Sequence, residues 1–432
     1  MLEKNTIQAL DQALELLECQ FVALPAAGGV AEDGAAVSAV LGEVATRLGD
    51  NFPYFHPLYA GQMLKPPHPV ARAAYALATW INPNNHALDG GRASTAMERE
   101  AVAQIARMFG WDAHLGHLTG GGTMANLEAL WVAGQLYPGK KIVASAQSHY
   151  THQRISGVLR LPFDKVPTDM RGRMDPAALE RMLAVGDIGC VVATLGTTAT
   201  GSVDPLPEIL ELRQRYDFRL HIDAAYGGYF MLAGNLAPET RAAFDLIVEA
   251  DSIVIDPHKH GLQPYGCGCV LFRDPAVGSL YKHDSPATYF SSRELHLGEI
   301  SLECSRPGAS AVALWATMRL LPLVRGGEFA NGLGACRRAA LELHRRLAAD
   351  SRFLAPFVPQ LDIVVWAPRA GSADQIFEEA ARRNLHLALA RLPGSFFGLP
   401  EEEVLALRSV LMKPEHEAWM DRIWEILDAV SA

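Results

Sequence analysis

Residues 251–261 read DSIVIDPHKHG. An apolar run, Ile253-Val254-Ile255, leads into Asp256 and then into Lys259, which stands between His258 and His260. A short continuous apolar run closed by polar residues is the pattern of a strand buried on both faces. Lysine is costly to bury unless it is paired or put to chemical use, so a strand that delivers one to its carboxyl end points to a site. The same kind of run recurs upstream, in KKIVASAQ (140–147), IGCVVATLG (188–196) and FRLHIDAA (218–225). Helical stretches such as PAALERMLAV (176–185) and LPEILELRQRY (206–216) lie between them. Strands and helices in alternation specify an α/β fold with a mainly parallel sheet covered by helices on both faces.

Ligands of open α/β sheets bind at the carboxyl ends of the strands. Here those ends run into Ser148-His149-Tyr150, Thr197-Thr198, Asp223 and Lys259. Each has a structural reading by itself, as a cap, a turn or a satisfied core group; four at corresponding positions make a site. A glycine-rich stretch, GHLTGGGTMANLEALW (116–131), adds to them. Met124, Leu127, Leu130 and Trp131 recur at helical spacing, so a helix should begin near Thr123, and the glycines before it let backbone N–H groups converge on an anion. The stretch lacks the lysine of a nucleotide P-loop and is not a dinucleotide fingerprint.

Outward from this centre the chain is ordinary. It has 432 residues, 49% apolar and 20% charged, and a formal net charge of −10. That balance offers no basic field for nucleic acid. The N-terminal residues carry acidic groups and no continuous apolar core, unlike a secretory signal. The longest apolar stretch, AVALWATMRLLPLV (311–324), is too short for a bilayer and reads as a buried helix, so no membrane partner is expected. Cys267 and Cys269 have no second pair at metal-finger spacing, and all six cysteines read as reduced core residues of a cytoplasmic protein. Residues 1–80 carry two helix candidates (7–24 and 37–50) and a proline- and aromatic-rich segment, NFPYFHPLYAGQMLKPPHP (51–69). Residues 81–325 hold the strand–helix alternation. Residues 326–432 read as a smaller C-terminal α+β domain, with ACRRAALELHRRLAAD (335–350), LDIVVWAP (361–368), ADQIFEEAARRN (373–384) and HEAWMDRIWEILDAV (416–430).

A phosphate anchor, a lysine and an aspartate at strand ends, and an imidazole together are what pyridoxal 5'-phosphate requires. The lysine forms the Schiff base, and the aspartate keeps the ring nitrogen protonated so that the ring can act as an electron sink. HIDAAYGG (221–228) followed by DPHK (256–259), and preceded by TGGGTMAN (119–126), SHYTH (148–152) and LGTTATGSVDP (195–205), resembles the pyridoxal-phosphate-dependent amino acid decarboxylases of the glutamate/aromatic group. The resemblance runs from about Asn82 to LRSVLMKPE (407–415). HKHGLQPYG (258–266) is similar to the archaeal tyrosine/aspartate decarboxylases and the sphingosine-phosphate lyases.

This resemblance implies the aspartate-aminotransferase type of fold (fold type I), with a seven-stranded large-domain sheet, and an enzyme that decarboxylates an L-amino acid to an amine and CO2. A carbon–carbon lyase or a decarboxylation-dependent oxidative deaminase is the alternative. By motif, Lys259 becomes the Schiff-base lysine and Asp223 the partner of the ring nitrogen. His149 stacks on one ring face and Ala225 packs on the other. Gly122, Thr123 and His258 bind the phosphate, and Thr197 lies near the ring hydroxyl or the substrate. Arg408 meets the substrate carboxylate, and His86 is a candidate for side-chain selection. Tyr289, with Tyr281 second, returns the proton to Cα, a role that His149 could share. A homodimer with the site at the subunit interface is also implied; residues 1–80 would supply contact surface, and Ser305 or Arg306 would reach the neighbouring subunit. Asp256 departs from the family pattern, because it places a second negative charge beside the expected phosphate.

Overall fold

In the computed structural model, residues 4–25, 33–282 and 296–431 are described. The larger sheet contains β1 (Leu115–Thr119), β2 (Lys141–Ser145), β3 (Phe163–Val166), β4 (Ile188–Thr194), β5 (Arg219–Asp223), β6 (Ser252–Ile255) and β7 (Gly268–Phe272). Their order across the sheet is β1-β7-β6-β5-β4-β2-β3. Strands β2 to β6 pair in parallel, whereas β7 runs antiparallel to both β6 and β1. Sequential parallel pairs have crossover helices, Thr151–Val158 between β2 and β3 and Leu206–Arg213 between β4 and β5. The connection from β6 to β7 is different: it turns back with no crossover helix, and it carries Lys259.

The second sheet is antiparallel, in the order β10-β11-β9-β8, and consists of β8 (Phe353–Leu354), β9 (Ile363–Pro368), β10 (Ala388–Pro393) and β11 (Glu403–Val410). Alternation along β9 and β11 sends side chains into two cores. Ile363, Val365, Ala406 and Val410 join the core of the large sheet. Val364, Trp366 and Leu407 join a second core, with residues of the helices Glu328–Ala349 and Met420–Val430. Leu58 and Ala60 also enter that second core, so the proline- and aromatic-rich segment is built into the fold. Its backbone is fastened there: the Ala60 N–H donates to His386 O at 2.8 Å, and the Val410 N–H donates to Ala60 O at 2.8 Å.

The stretch 311–324 is a helix over Gly308–Leu320, buried along one side against the helices Pro69–Thr79 and Arg92–Met108. The first helix ends at Cys19 instead of reaching Leu24, and the second covers Gly34–Leu48, capped by the Asp33 side chain. Neither buries any residue within this chain. Four cysteines are core residues as expected, but Cys19 and Cys304 are exposed. Cys304 lies in a loop beside the cavity residue Glu303, and Cys19 ends a helix in which no residue is fully buried. Among the described residues no helix is long and apolar enough to cross a membrane, and no group of three or more His, Cys, Asp or Glu could hold a metal ion.

Candidate active site

A cavity of about 520 Å³ opens where β4, β5 and β6 end and where the helix Gly122–Leu136 begins. Lys259 reaches it from a tight turn after β6, closed by its own N–H donating to Asp256 O at 2.9 Å. The Lys259 Nζ lies 3.0 Å from Asp256 Oδ2. The Asp256 carboxylate is buried, and its Oδ1 has no hydrogen-bond partner. A methyl group on Gly122 would come within 2.7 Å of Asp256 Oδ2, so the first residue of the helix is packed directly on the carboxylate. Gly121 adopts φ +146°, open to glycine and rarely to other residues, and a side chain there would press on His258 at 3.3 Å. The Gly120 N–H donates to Glu303 Oε2 at 3.0 Å. The glycines thus form a cradle at a helix N-terminus, and two carboxylates lie against it.

Asp223 ends β5 with both oxygens placed. Oδ2 accepts a hydrogen bond from His152 Nε2 at 2.7 Å, and Oδ1 accepts the Ala225 N–H at 3.1 Å. Burial pushes its carboxyl up, but the His152 hydrogen bond and charge outweigh this with help from Lys259, and the group is held well below the usual carboxylate range. His149 is partly buried; its Nδ1 lies 2.7 Å from Thr151 Oγ1, and burial lowers its pKa. Beneath the cavity, His221 joins the helix to the sheet: Nε2 donates to Asn126 Oδ1 at 2.8 Å and Nδ1 accepts from Ser252 Oγ at 2.9 Å. Burial lowers its pKa to about 3, so it stays neutral.

Of the residues singled out in the sequence, Gly122, Thr123, His149, Asp223, Ala225, His258 and Lys259 all line this cavity. Thr197 does not. Its hydroxyl is 2.7 Å from Thr200 Oγ1 and accepts the Ser202 N–H at 3.0 Å, closing the turn after β4. Thr194 and Thr198 face the cavity in its place, and Thr194 Oγ1 has no partner. Arg408 is buried in β11 with Nε and Nη2 lacking hydrogen-bond partners. It is not on the lining itself; Tyr226, a cavity residue, and Tyr59 are close enough to act on its charge, and burial lowers its pKa. His86 lies in the segment between the helices Pro69–Thr79 and Arg92–Met108, where its carbonyl accepts the Gly298 N–H at 2.8 Å, and it does not line the cavity of its own chain.

Tyr289 lies outside the described residues. Tyr281 is turned away from the cavity: its hydroxyl donates to Glu128 Oε2 at 3.1 Å, its ring packs on Trp131, and burial pushes its pKa up. Arg306 also faces inward, donating to Glu98 Oε1 at 2.7 Å and to Leu118 O, and Ser305 Oγ accepts from Asn84 within the same chain. The structure adds two residues to the site, His152 behind Asp223 and Glu303 on the cavity wall. His152 could have been found as the second imidazole of SHYTH, three residues beyond His149, whereas nothing in the sequence tied Glu303 to the glycine loop.

These donors fit pyridoxal phosphate. An amine, an ionised carboxylate held from behind, an imidazole and a glycine cradle at a helix N-terminus converge on one cavity. Unpartnered polar atoms remain on its walls at Thr194 and His258.

Comparison with known proteins agrees with this chemistry. The sequence profile of the pyridoxal-dependent decarboxylase conserved domain matches residues 131–367. A probable L-aspartate decarboxylase of Halobacterium salinarum is 32% identical over 262 residues, covering 60% of this chain and 70% of that protein. A probable L-tyrosine/L-aspartate decarboxylase of Methanopyrus kandleri is 27% identical over 340 residues, 77% of this chain and 88% of its own. Among solved structures, mouse CSAD in apo form superposes with a TM-score of 0.79 at 20% identity, covering 99% of both chains. Oryza sativa TDC with PLP and tryptamine also gives 0.79, at 18% identity, covering 100% of this chain and 98% of its own. The chain belongs to the pyridoxal-dependent decarboxylase family and is a pyridoxal-phosphate-dependent amino acid decarboxylase.

Proposed function

We propose that the cavity at the ends of β4, β5 and β6 removes CO2 from an L-amino acid, with Lys259 supplying the amine that holds the cofactor. The observation that carries this is the convergence of Lys259, Asp223 and His149 on one cavity with the Gly120–Gly122 cradle. When bound, pyridoxal phosphate supplies the conjugated ring that accepts the electrons left at Cα as CO2 departs. Asp223, kept ionised by His152, holds a proton on the ring nitrogen. His149 and Ala225, both on the cavity wall, would hold the ring between them. The N–H groups at Gly122 and Thr123, with His258, take the phosphate.

Asp256 holds the Lys259 ammonium in place before the cofactor arrives. Arg408, buried with two nitrogens unpaired, takes the carboxylate of the substrate behind Tyr226. The proton returns to Cα from Tyr289, and a contribution from His149 is the alternative. Lys259→Ala should lose both the visible absorbance of bound cofactor and all CO2 release, and a screen of amine products across the amino acids names the substrate. Tyrosine and aspartate come first, because relatives are named for them. Cofactor binding without CO2 or amine from any amino acid would sink this reading.

Many apolar residues of the first two helices face outward within one chain, including Leu16, Val40, Leu41 and Leu48, and Trp80 beyond them is 63% exposed. So large an uncovered apolar surface supports a homodimer in which a second copy buries it. His86 then has a place to act, at a site shared between subunits. All six cysteines are unpaired, which suits the cytoplasm.

A further inference from the structure

We propose that His152 is a positioning residue for the cofactor ring, acting through Asp223. The inference rests on the reading above, in which Asp223 faces the ring nitrogen. His152 is fully buried near the start of the helix Thr151–Val158. Its Nε2 lies 2.7 Å from Asp223 Oδ2, and its Nδ1 has no hydrogen-bond partner. Asp223 can only accept here, so Nε2 carries the hydrogen. The imidazole holds no helix end, turn or second element through its other nitrogen; its hydrogen bond goes to the aspartate of the cavity. His221, by contrast, uses both nitrogens, between Asn126 and Ser252.

Two consequences follow. With Oδ2 taken by His152 and Oδ1 receiving the Ala225 N–H, the carboxylate cannot rotate, and its remaining acceptor direction is left for the cavity. The hydrogen bond also opposes the effect of burial, so that Asp223 stays ionised and can hold a proton on its ligand. Loss of the His152 donor lets the buried carboxylate keep a proton for itself. The other titratable groups close enough to act are His149, His221 and Lys259. One short helix start therefore supplies two imidazoles with separate tasks, His149 on the cavity wall and His152 behind the aspartate.

The test compares holoenzymes of the wild type, H152L, H152Q and D223N, loaded with cofactor labelled with nitrogen-15 in the ring. The measurements are the ring-nitrogen chemical shift, the cofactor dissociation constant, and kcat and KM. Partners of this kind, which orient a ligand-binding group, cost about 10- to 100-fold when removed. H152L should weaken cofactor retention and lower kcat by about that factor, with KM changed little, and should move the nitrogen shift toward the unprotonated ring. H152Q, whose side-chain amide reaches the position of Nε2, should recover most of each. If H152L does not fold, H152N takes its place, since its amide is too short to reach Asp223. An unmoved nitrogen shift in the variant lacking the donor, or an H152Q no better than it, overturns the proposal. D223N behaving as wild type would overturn the role of Asp223 itself; an impaired D223N beside an unaffected H152L overturns the role of His152 alone.

Discussion

His117 and Glu128 form a buried imidazole–carboxylate pair at 2.9 Å, and His152 and Asp223 form another at 2.7 Å. The first is closed by the chain on every side. Glu128 also accepts the Tyr281 hydroxyl at 3.1 Å and the Leu302 N–H at 3.3 Å, while His117 Nδ1 donates to Leu118 O at 2.9 Å. The second pair is left open toward a cavity. Desolvation is severe for both, and both are held by hydrogen bonds. What differs is whether the protein fills the last acceptor position. A filled pair joins β1 to the helix Gly122–Leu136 and to the residues on either side of 283–295; an open one waits for a ligand.

The largest effect should come from exchanging one oxygen for nitrogen in each pair. D223N should lower kcat/KM by about 10³-fold, the scale of losing a preorganised electrostatic partner, while unfolding stability changes little. E128Q should do the reverse, costing about 1–3 kcal/mol in denaturant unfolding as a buried network loses its charge, with kcat/KM within a few-fold of wild type. Equal losses of the same quantity in both variants would erase the distinction.

The part of this site that could be read from the sequence is the part that continues a strand. Asp223 closes one apolar run and Lys259 lies four residues past the end of another, so the periodicity that identifies a strand also locates the loop after it, and His149 and Gly122 are placed by the same logic. Which way a side chain points within such a loop could not be read in this way. Gly196, at φ +103°, reverses the chain after β4, which turns Thr197 inward and leaves Thr194 and Thr198 on the cavity wall. Strands β10 and β11 were missed for a related reason: HLALARLP (386–393) and EEEVLALRSV (401–410) are rich in Ala and Leu, and only pairing with β9 makes them strands. Pairs across the fold, such as Glu128 with Tyr281, leave no local trace at all.

A third buried imidazole sharpens the comparison through pH. His221 bridges two neutral partners, and burial lowers its pKa to about 3, against about 6.5 in an unfolded chain. Between those values the unfolded chain takes up the proton and the folded one does not. Stability should therefore fall as pH drops from about 6.5 toward 3, by up to about 1.4 kcal/mol per pH unit for this group. His416 is lowered to about 3 in the same way and adds to the slope. H221Q, which does not titrate, should flatten the dependence of unfolding free energy on pH over that range; an unchanged slope would mean that another group sets the acid limit.

Asp256 is a smaller test of the same idea, because it faces the cavity but already has a partner in Lys259. Its carboxylate is packed on the first residue of the helix Gly122–Leu136, where the dipole favours one anion. D256N removes a competitor of the phosphate and should tighten cofactor binding, by about 10-fold in equilibrium dialysis. Weaker binding would show that holding the Lys259 ammonium matters more than sparing the phosphate a second charge.

The smallest effects should separate two threonines that the sequence could not tell apart. Thr197 spends its hydroxyl on Thr200 and on the Ser202 N–H, whereas Thr194 keeps an unpartnered hydroxyl on the cavity wall. T197V leaves the buried Ser202 N–H without an acceptor side chain and should cost about 1–2 kcal/mol of stability, with kcat/KM nearly unchanged. T194V exchanges an unpaired buried hydroxyl for a methyl group of the same shape, which should leave stability level or slightly higher. Its cost falls on cofactor or substrate, as a few-fold loss in kcat/KM, because the hydroxyl has no other partner to serve. If T194V instead destabilises the fold and leaves turnover alone, an open polar group on this wall is no guide to what the ligand touches, and the contrast between Asp223 and Glu128 would have to stand on the carboxylates alone.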